Sequence, residues 1–79
     1  MTTQETLHWI AETFEHDPAL VKPETLRDEI PAWDSVGVLT LMAAIDKKFG
    51  VLLANDDISS MKKVGDVVEV LRKQHKIND

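Results

Sequence analysis

Between Pro31 and Gly50 the chain carries apolar side chains at Val38, Leu41, Met42, Ile45 and Phe49, behind an Asp34-Ser35 pair. This spacing has the period of an α-helix and places all five side chains on one face, which has to be buried against another element. Pro31 stands before the helix, and Gly50 is the residue type that ends one. The leading N–H groups of a helix have no intrahelical partner, and either Asp34 or Ser35 can accept one of them. The Ser35 hydroxyl is thereby predicted at a helix N-terminus. Free N–H groups and the positive end of the helix dipole suit a phosphate ester there.

The flanking segments read as further helices. Thr2 and Glu5 form a capping box that opens a first helix with Leu7, Ile10, Ala11 and Phe14 on one face, ended by His16-Asp17-Pro18. Trp9 stands off that stripe and is expected to lean over its flank onto the following loop. His8, Glu12 and His16 are spaced four apart, but two nitrogen donors with no further ligand make a poor metal site, and no metal is expected. Pro18, Pro23 and Pro31 then prevent a sustained helix. So long a connection needs anchors. Leu20, Val21, Leu26 and Ile30 are expected to supply them, with Thr25 capping a short turn through residues 27–29. Residues 51–54 are apolar, yet no second strand-like segment exists to pair with them, so they read as a buried connector. Asn55 or Asp56 is expected to cap a short third helix around residues 57–61, in which Ile58 and Met61 face inward. A last helix, from about 64 to 75, buries Val64, Val67, Val68 and Leu71 and ends on basic residues, which suit the negative end of its dipole. Residues 77–79 are expected to fray.

The expected fold is all-α: a four-helix bundle with three longer helices and one short one, as a single domain over residues 1–79. With 43% hydrophobic and 29% charged residues the chain has the balance of a globular protein. It holds no cysteine, which excludes a disulfide framework and thiolate chemistry and fits a reducing compartment. No apolar run approaches the roughly 20 residues that cross a bilayer, and the first residues lack the pattern of a signal peptide. A cytoplasmic location without membrane insertion is expected. The net charge of −5 divides into −7 over residues 1–46, where only Lys22 and Arg27 are basic, and +2 over residues 47–79. Such a surface is a poor match for nucleic acid, and its acidic half suits basic protein partners. No Gly-x-Ser-x-Gly elbow surrounds Ser35, and no motif ties a histidine to it, so a hydrolase-type nucleophile is not expected.

At Asp34-Ser35-Val36, Leu41, Ile45, Phe49-Gly50-Val51 and Val64-Gly65-Asp66-Val67 the sequence resembles the acyl and peptidyl carrier protein family, from residue 7 to residue 71. In that family the serine of the Asp-Ser pair bears a 4′-phosphopantetheine arm whose thiol holds cargo as a thioester. The resemblance implies that Ser35 is the attachment point and coenzyme A the donor, with Asp34 assisting recognition or magnesium placement during loading. It also implies a phosphopantetheinyl transferase, an acyl- or aminoacyl-loading ligase and downstream biosynthetic enzymes as partners. The carrier itself would be a non-catalytic monomer. Carriers usually place Thr or another cap where this chain has Lys63, so a weak start is expected for the last helix.

Val36, Leu39 and Ala43 form an apolar stripe apart from the buried face of the second helix. They either line a groove to a neighbouring helix or form a docking surface for successive enzymes. Trp33 divides in the same way between clamping the loop and shaping the surface that receives a partner. Gly37 costs about 1 kcal/mol of helix propensity and is expected to let a partner or the arm approach the backbone. Carriers of bacterial fatty acid synthesis resemble one another in an acidic second helix, whereas residues 36–49 here hold one acid, Asp46, against Lys47 and Lys48. That departure favours a specialised polyketide, peptide, lipid or polysaccharide pathway over housekeeping fatty acid synthesis. From another class, an unmodified helical interaction module is the alternative.

Overall fold

The computed structural model describes residues 1–79, the side chain of Asn55 excepted. Its elements follow in the order α1 (Thr3–Thr13), two short 3-10 turns (Pro18–Leu20 and Arg27–Glu29), α2 (Ser35–Phe49), α3 (Asn55–Ser59) and α4 (Val64–Lys73). Among the described residues no strand forms, and a lone antiparallel bridge joins Leu26 to Lys63. The all-α expectation holds, with three longer helices and one short one.

α1 and α4 bury the faces that their periodicity marks, whereas on α2 Leu41 and Ile45 are buried, Val38 and Phe49 pack half-buried on the core, and Met42 borders the cleft towards α3. Ile10 and Ala11 of α1, Leu41 and Ile45 of α2, and Val64, Val67 and Leu71 of α4 are almost wholly enclosed, joined by Ile30 from the loop. Fully burying such a side chain contributes about 1.5–3 kcal/mol, so these residues and their neighbours hold the bundle together. The Thr2–Glu5 capping box forms as read, with the Glu5 N–H donating to Thr2 Oγ1 at 3.1 Å and the Thr2 N–H to Glu5 Oε1 at 2.9 Å. α1 stops earlier than His16, at Thr13, because Phe14 turns into the core and Glu15 takes a left-handed backbone at φ 51°. His16 thus leaves the helix face carrying His8 and Glu12, which pair with each other at 3.3 Å.

The long connection is anchored differently from expectation. Val21 and Ile30 are buried, but Leu20 and Leu26 are exposed. Two hydrogen-bonded turns, rather than four apolar pins, hold the loop. Thr25 does not cap the turn that follows it. Its buried hydroxyl donates to the Leu20 carbonyl at 3.0 Å and accepts the Lys22 N–H at 2.9 Å, closing the preceding stretch on itself. The turn at Arg27–Glu29 is closed instead by Glu29, whose carboxylate accepts the Leu26 N–H at 2.8 Å.

Trp9 is half-buried, but it meets Phe49 at the end of α2, edge to face with ring centroids 5.3 Å apart, rather than the loop. In the connector Val51 is buried while Leu52 is 84% exposed, so only part of that run faces the core. α3 starts after Ala54, whose N–H donates to the Asp57 carboxylate at 3.1 Å. Asp56 is therefore not the cap, and the Asn55 side chain, the other candidate, lies outside the described residues. Ile58 packs on the core and Met61 is buried, but α3 runs over Asn55–Ser59 rather than 57–61, so Met61 reaches the core from beyond the end of the helix.

The start of α4 is not weak, because other segments supply its caps. The N–H groups of Val64 and Gly65 donate to the carbonyls of Thr25 and Pro23 at 2.9 and 2.8 Å, and Asp66 Oδ2 accepts the N–H groups of Lys62 and Lys63. Nor does the tail fray. Ile77 is buried, the Asn78 N–H donates to the Met1 carbonyl, and the Asp79 carboxylate accepts from both the N–H and the hydroxyl of Thr3, at 3.0 and 2.8 Å. Arg72 joins this clasp through Thr3 Oγ1 at 3.0 Å.

Candidate functional site

Asp34 and Ser35 stand where the long loop turns into α2, and the structure settles which of them is the cap. Asp34 takes an extended backbone at φ −94° and ψ −162°, and its Oδ1 accepts the Gly37 N–H at 2.9 Å. Ser35 is the first helical residue and is exposed. Its hydroxyl is not needed to finish the helix.

The approach of the chain to this point is fixed by two contacts. Trp33, 3% exposed, stacks on Phe14 with centroids 5.5 Å apart and planes 21° from parallel. It clamps the loop onto the core and also borders the cleft beside Ser35. Gly37 is buried as well, and the backbone that approaches it belongs to the chain itself. A Cβ at that position would run into the Ala32 carbonyl. The expected approach of a partner or arm to Gly37 is therefore replaced by an internal contact that lets the loop bend tightly into the helix.

Two shallow clefts meet at Ser35. One lies on the loop side, lined by Arg27, Asp28, Ile30, Pro31, Trp33, Asp34 and Ser35. The other runs between α2 and α3, lined by Arg27, Ser35, Val38, Leu39, Met42, Ile58 and Ser59. The second has an apolar floor, with one cation and the serine among its walls. Val36, Leu39 and Ala43 are all exposed, Val36 at 71% and Leu39 at 64%, so the stripe is not a packed groove between helices. Val36 sits beside Thr13, Phe14 and Glu15 at the end of α1, while Leu39 faces the α3 side. The stripe is the outward crest of α2 beyond the serine.

Arg27, Met42 and Ile58 border the site without having been singled out for it from sequence. For Arg27 a signal existed, since it is one of two basic residues in the first 46. Met42 and Ile58 read equally well as core, and only the meeting of α2 with α3 brings them beside Ser35. Among the described residues no group of three potential metal ligands gathers, and no helix is long and apolar enough to cross a membrane.

No family model matches the chain. It is 25% identical over 71 residues to the acyl carrier proteins of Rickettsia typhi and Rickettsia prowazekii, an alignment that covers 90% of this chain and 83% of each relative. Its fold is similar to the solution structure of the holo acyl carrier protein from Geobacter metallireducens, with a TM-score of 0.72 and 26% identity, covering 100% of this chain and 98% of that one. In sequence over nine-tenths of its length, and in helical architecture over all of it, this chain is similar to acyl carrier proteins.

Proposed function

We propose that residues 1–79 act as one carrier domain that tethers acyl or aminoacyl groups on a 4′-phosphopantetheine arm attached to Ser35, and presents them to separate enzymes. The observation that carries this reading is the Ser35 hydroxyl itself, exposed on the first turn of α2 and freed from capping by the Asp34–Gly37 hydrogen bond. The residues fit such a group. An exposed oxygen with open clefts on both sides leaves room for a transferase and for a long substituent. During attachment the Ser35 Oγ bonds to phosphorus of coenzyme A, the adenosine bisphosphate portion leaves, and the hydroxyl proton passes to the transferase. Asp34 holds the helix start and offers a carboxylate to the transferase or its magnesium. The attached arm supplies a thiol on a flexible tether, where cargo is carried as a thioester. Chemistry on the cargo belongs to the partners, a loading ligase and downstream enzymes. The carrier meets them as a monomer in the cytoplasm, through Val36, Leu39 and Ala43 on the crest of α2.

The test is incubation with a phosphopantetheinyl transferase and coenzyme A, followed by intact mass. Wild type should gain the arm and Ser35→Ala should not. An unmodified wild type, under conditions that modify a control carrier, overturns the reading.

The pathway we favour is a specialised one, because α2 presents Asp46 against Lys47 and Lys48 instead of an acidic face. A carrier built this way should be a poor substrate for enzymes of fatty acid synthesis that read acidic helices. Efficient support of a reconstituted fatty acid synthase would assign it the housekeeping role instead.

A further inference from the structure

We propose that Arg27 is the binding residue for the phosphodiester of the arm, an inference that rests on attachment at Ser35 and adds a residue to it. Arg27 opens the 3-10 turn that follows the buried Thr25. Its Nε donates to the Trp33 carbonyl at 2.9 Å, two residues before Ser35. That bond, backed by the stacking of Trp33 on Phe14, fixes the guanidinium against the segment that carries the serine. Arg27 and Ser35 are the two residues common to both clefts at the site.

The remaining donors are available. Among the described residues Arg27 enters no ion pair, and its hydrogen bond runs through Nε, leaving the two Nη groups without a protein acceptor. Asp28 and Asp34 border the same cleft, so without Arg27 every charged side chain lining it would be a carboxylate. A guanidinium offsets their repulsion of a phosphodiester. Its planar fork matches two phosphate oxygens, and hydrogen bonds between ionised partners are about twice as strong as neutral ones. Arg27 would hold the phosphate end of the arm and leave the thiol end free to move. A lysine would supply the charge without the fork.

The experiment attaches the arm to wild type, Arg27→Lys and Arg27→Gln and records phosphorus NMR of each. Side-chain N–H resonances of Arg27 are compared before and after attachment in wild type. The phosphorus resonance of folded wild type should be displaced from its position in the urea-unfolded holo protein. The displacement should shrink with added salt, be lost in Arg27→Gln and be partly kept in Arg27→Lys, while the Arg27 N–H signals shift on attachment. Identical phosphorus signals in all three proteins, with unmoved Arg27 resonances, overturn the proposal, even if Arg27→Gln melts earlier in both apo and holo forms. Should Arg27→Gln not fold, the wild-type Arg27 resonances and the Arg27→Lys signal decide it. A wild type that accepts no arm defeats the attachment reading itself, which is distinct from an arm that attaches and ignores Arg27.

Discussion

The carbonyl oxygen of Ala32 lies so close to the α-carbon of Gly37 that a methyl group on that carbon would collide with it. This contact reverses the usual expectation for glycine inside a helix. Replacing such a glycine by alanine ordinarily gains about 1 kcal/mol. Here the neighbour is backbone, which cannot swing aside as a side chain does. Gly37→Ala is expected to lower stability by about 1–3 kcal/mol, the range for overpacking, and to displace residues 32–35. Urea unfolding checks the first, and the amide spectrum of the loop checks the second. A stabilised variant would mean that the loop yields to the extra methyl.

Asp34 and Ser35 should separate cleanly on mutation. Asp34→Ala removes the acceptor of the Gly37 N–H and is expected to cost about 1 kcal/mol. Ser35→Ala should leave the unfolding midpoint of the unmodified protein unchanged or slightly raised, because alanine is the better helix former. It should nevertheless abolish attachment. Denaturation curves and intact masses on the same two variants test both statements. Loss of stability in Ser35→Ala would show that the hydroxyl serves the helix after all.

On the crest of α2, Leu39→Asp is expected to lower kcat/KM for loading by a phosphopantetheinyl transferase by about tenfold or more, the effect of losing an apolar contact worth at least about 1.4 kcal/mol. Its stability should change by no more than about 0.5 kcal/mol, since the side chain is largely exposed. Leu52→Asp, at a position more exposed but away from the crest, serves as the control and should load normally. Equal loss in both variants would remove the docking role from Leu39.

The clasp between the two ends of the chain should respond to acid. Hydrogen bonds from the Thr3 N–H and hydroxyl hold the Asp79 carboxyl below its ordinary range, and those from Thr2 do the same for Glu5. A carboxyl lowered in the folded state contributes stability that is fully present above its unfolded value, roughly pH 4. That contribution is lost as pH falls through the folded value. Protection of the Thr3 amide, its exchange rate compared with that of the unfolded chain at the same pH, should therefore be high near neutrality and fall below about pH 4. In Asp79→Asn the protection should be lower at neutral pH and less sensitive to acid.

At the start of α4, Gly65 matters for the same reason as Gly37. A Cβ there would lie 2.8 Å from the Pro23 carbonyl oxygen, the acceptor of its own N–H. Gly65→Ala is expected to destabilise by about 1–3 kcal/mol and to expose the Val64 and Gly65 amides to exchange. Protection unchanged from wild type at both amides would show that the helix start does not depend on the loop.

Local spacing alone determined the four helices, the buried faces of α1, α2 and α4, the Thr2–Glu5 box, and the serine at the head of α2. Those features depend on residues within a turn or two of one another, so periodicity and capping chemistry write them directly into the order of residues. The tertiary structure decided what depends on segments far apart in the chain. It exposed Leu20, Leu26 and Leu52, whose hydrophobicity says nothing about which surface their segment will face. It spent Trp33 on Phe14 and Gly37 on the Ala32 carbonyl, gave α4 its caps from Pro23 and Thr25, and pinned Asp79 to Thr3. It also carried Arg27 beside Ser35. Which carbonyl meets which amide, and which side chain meets which cleft, is set by how the loop crosses the bundle, and that path is chosen only when all the apolar faces are buried together.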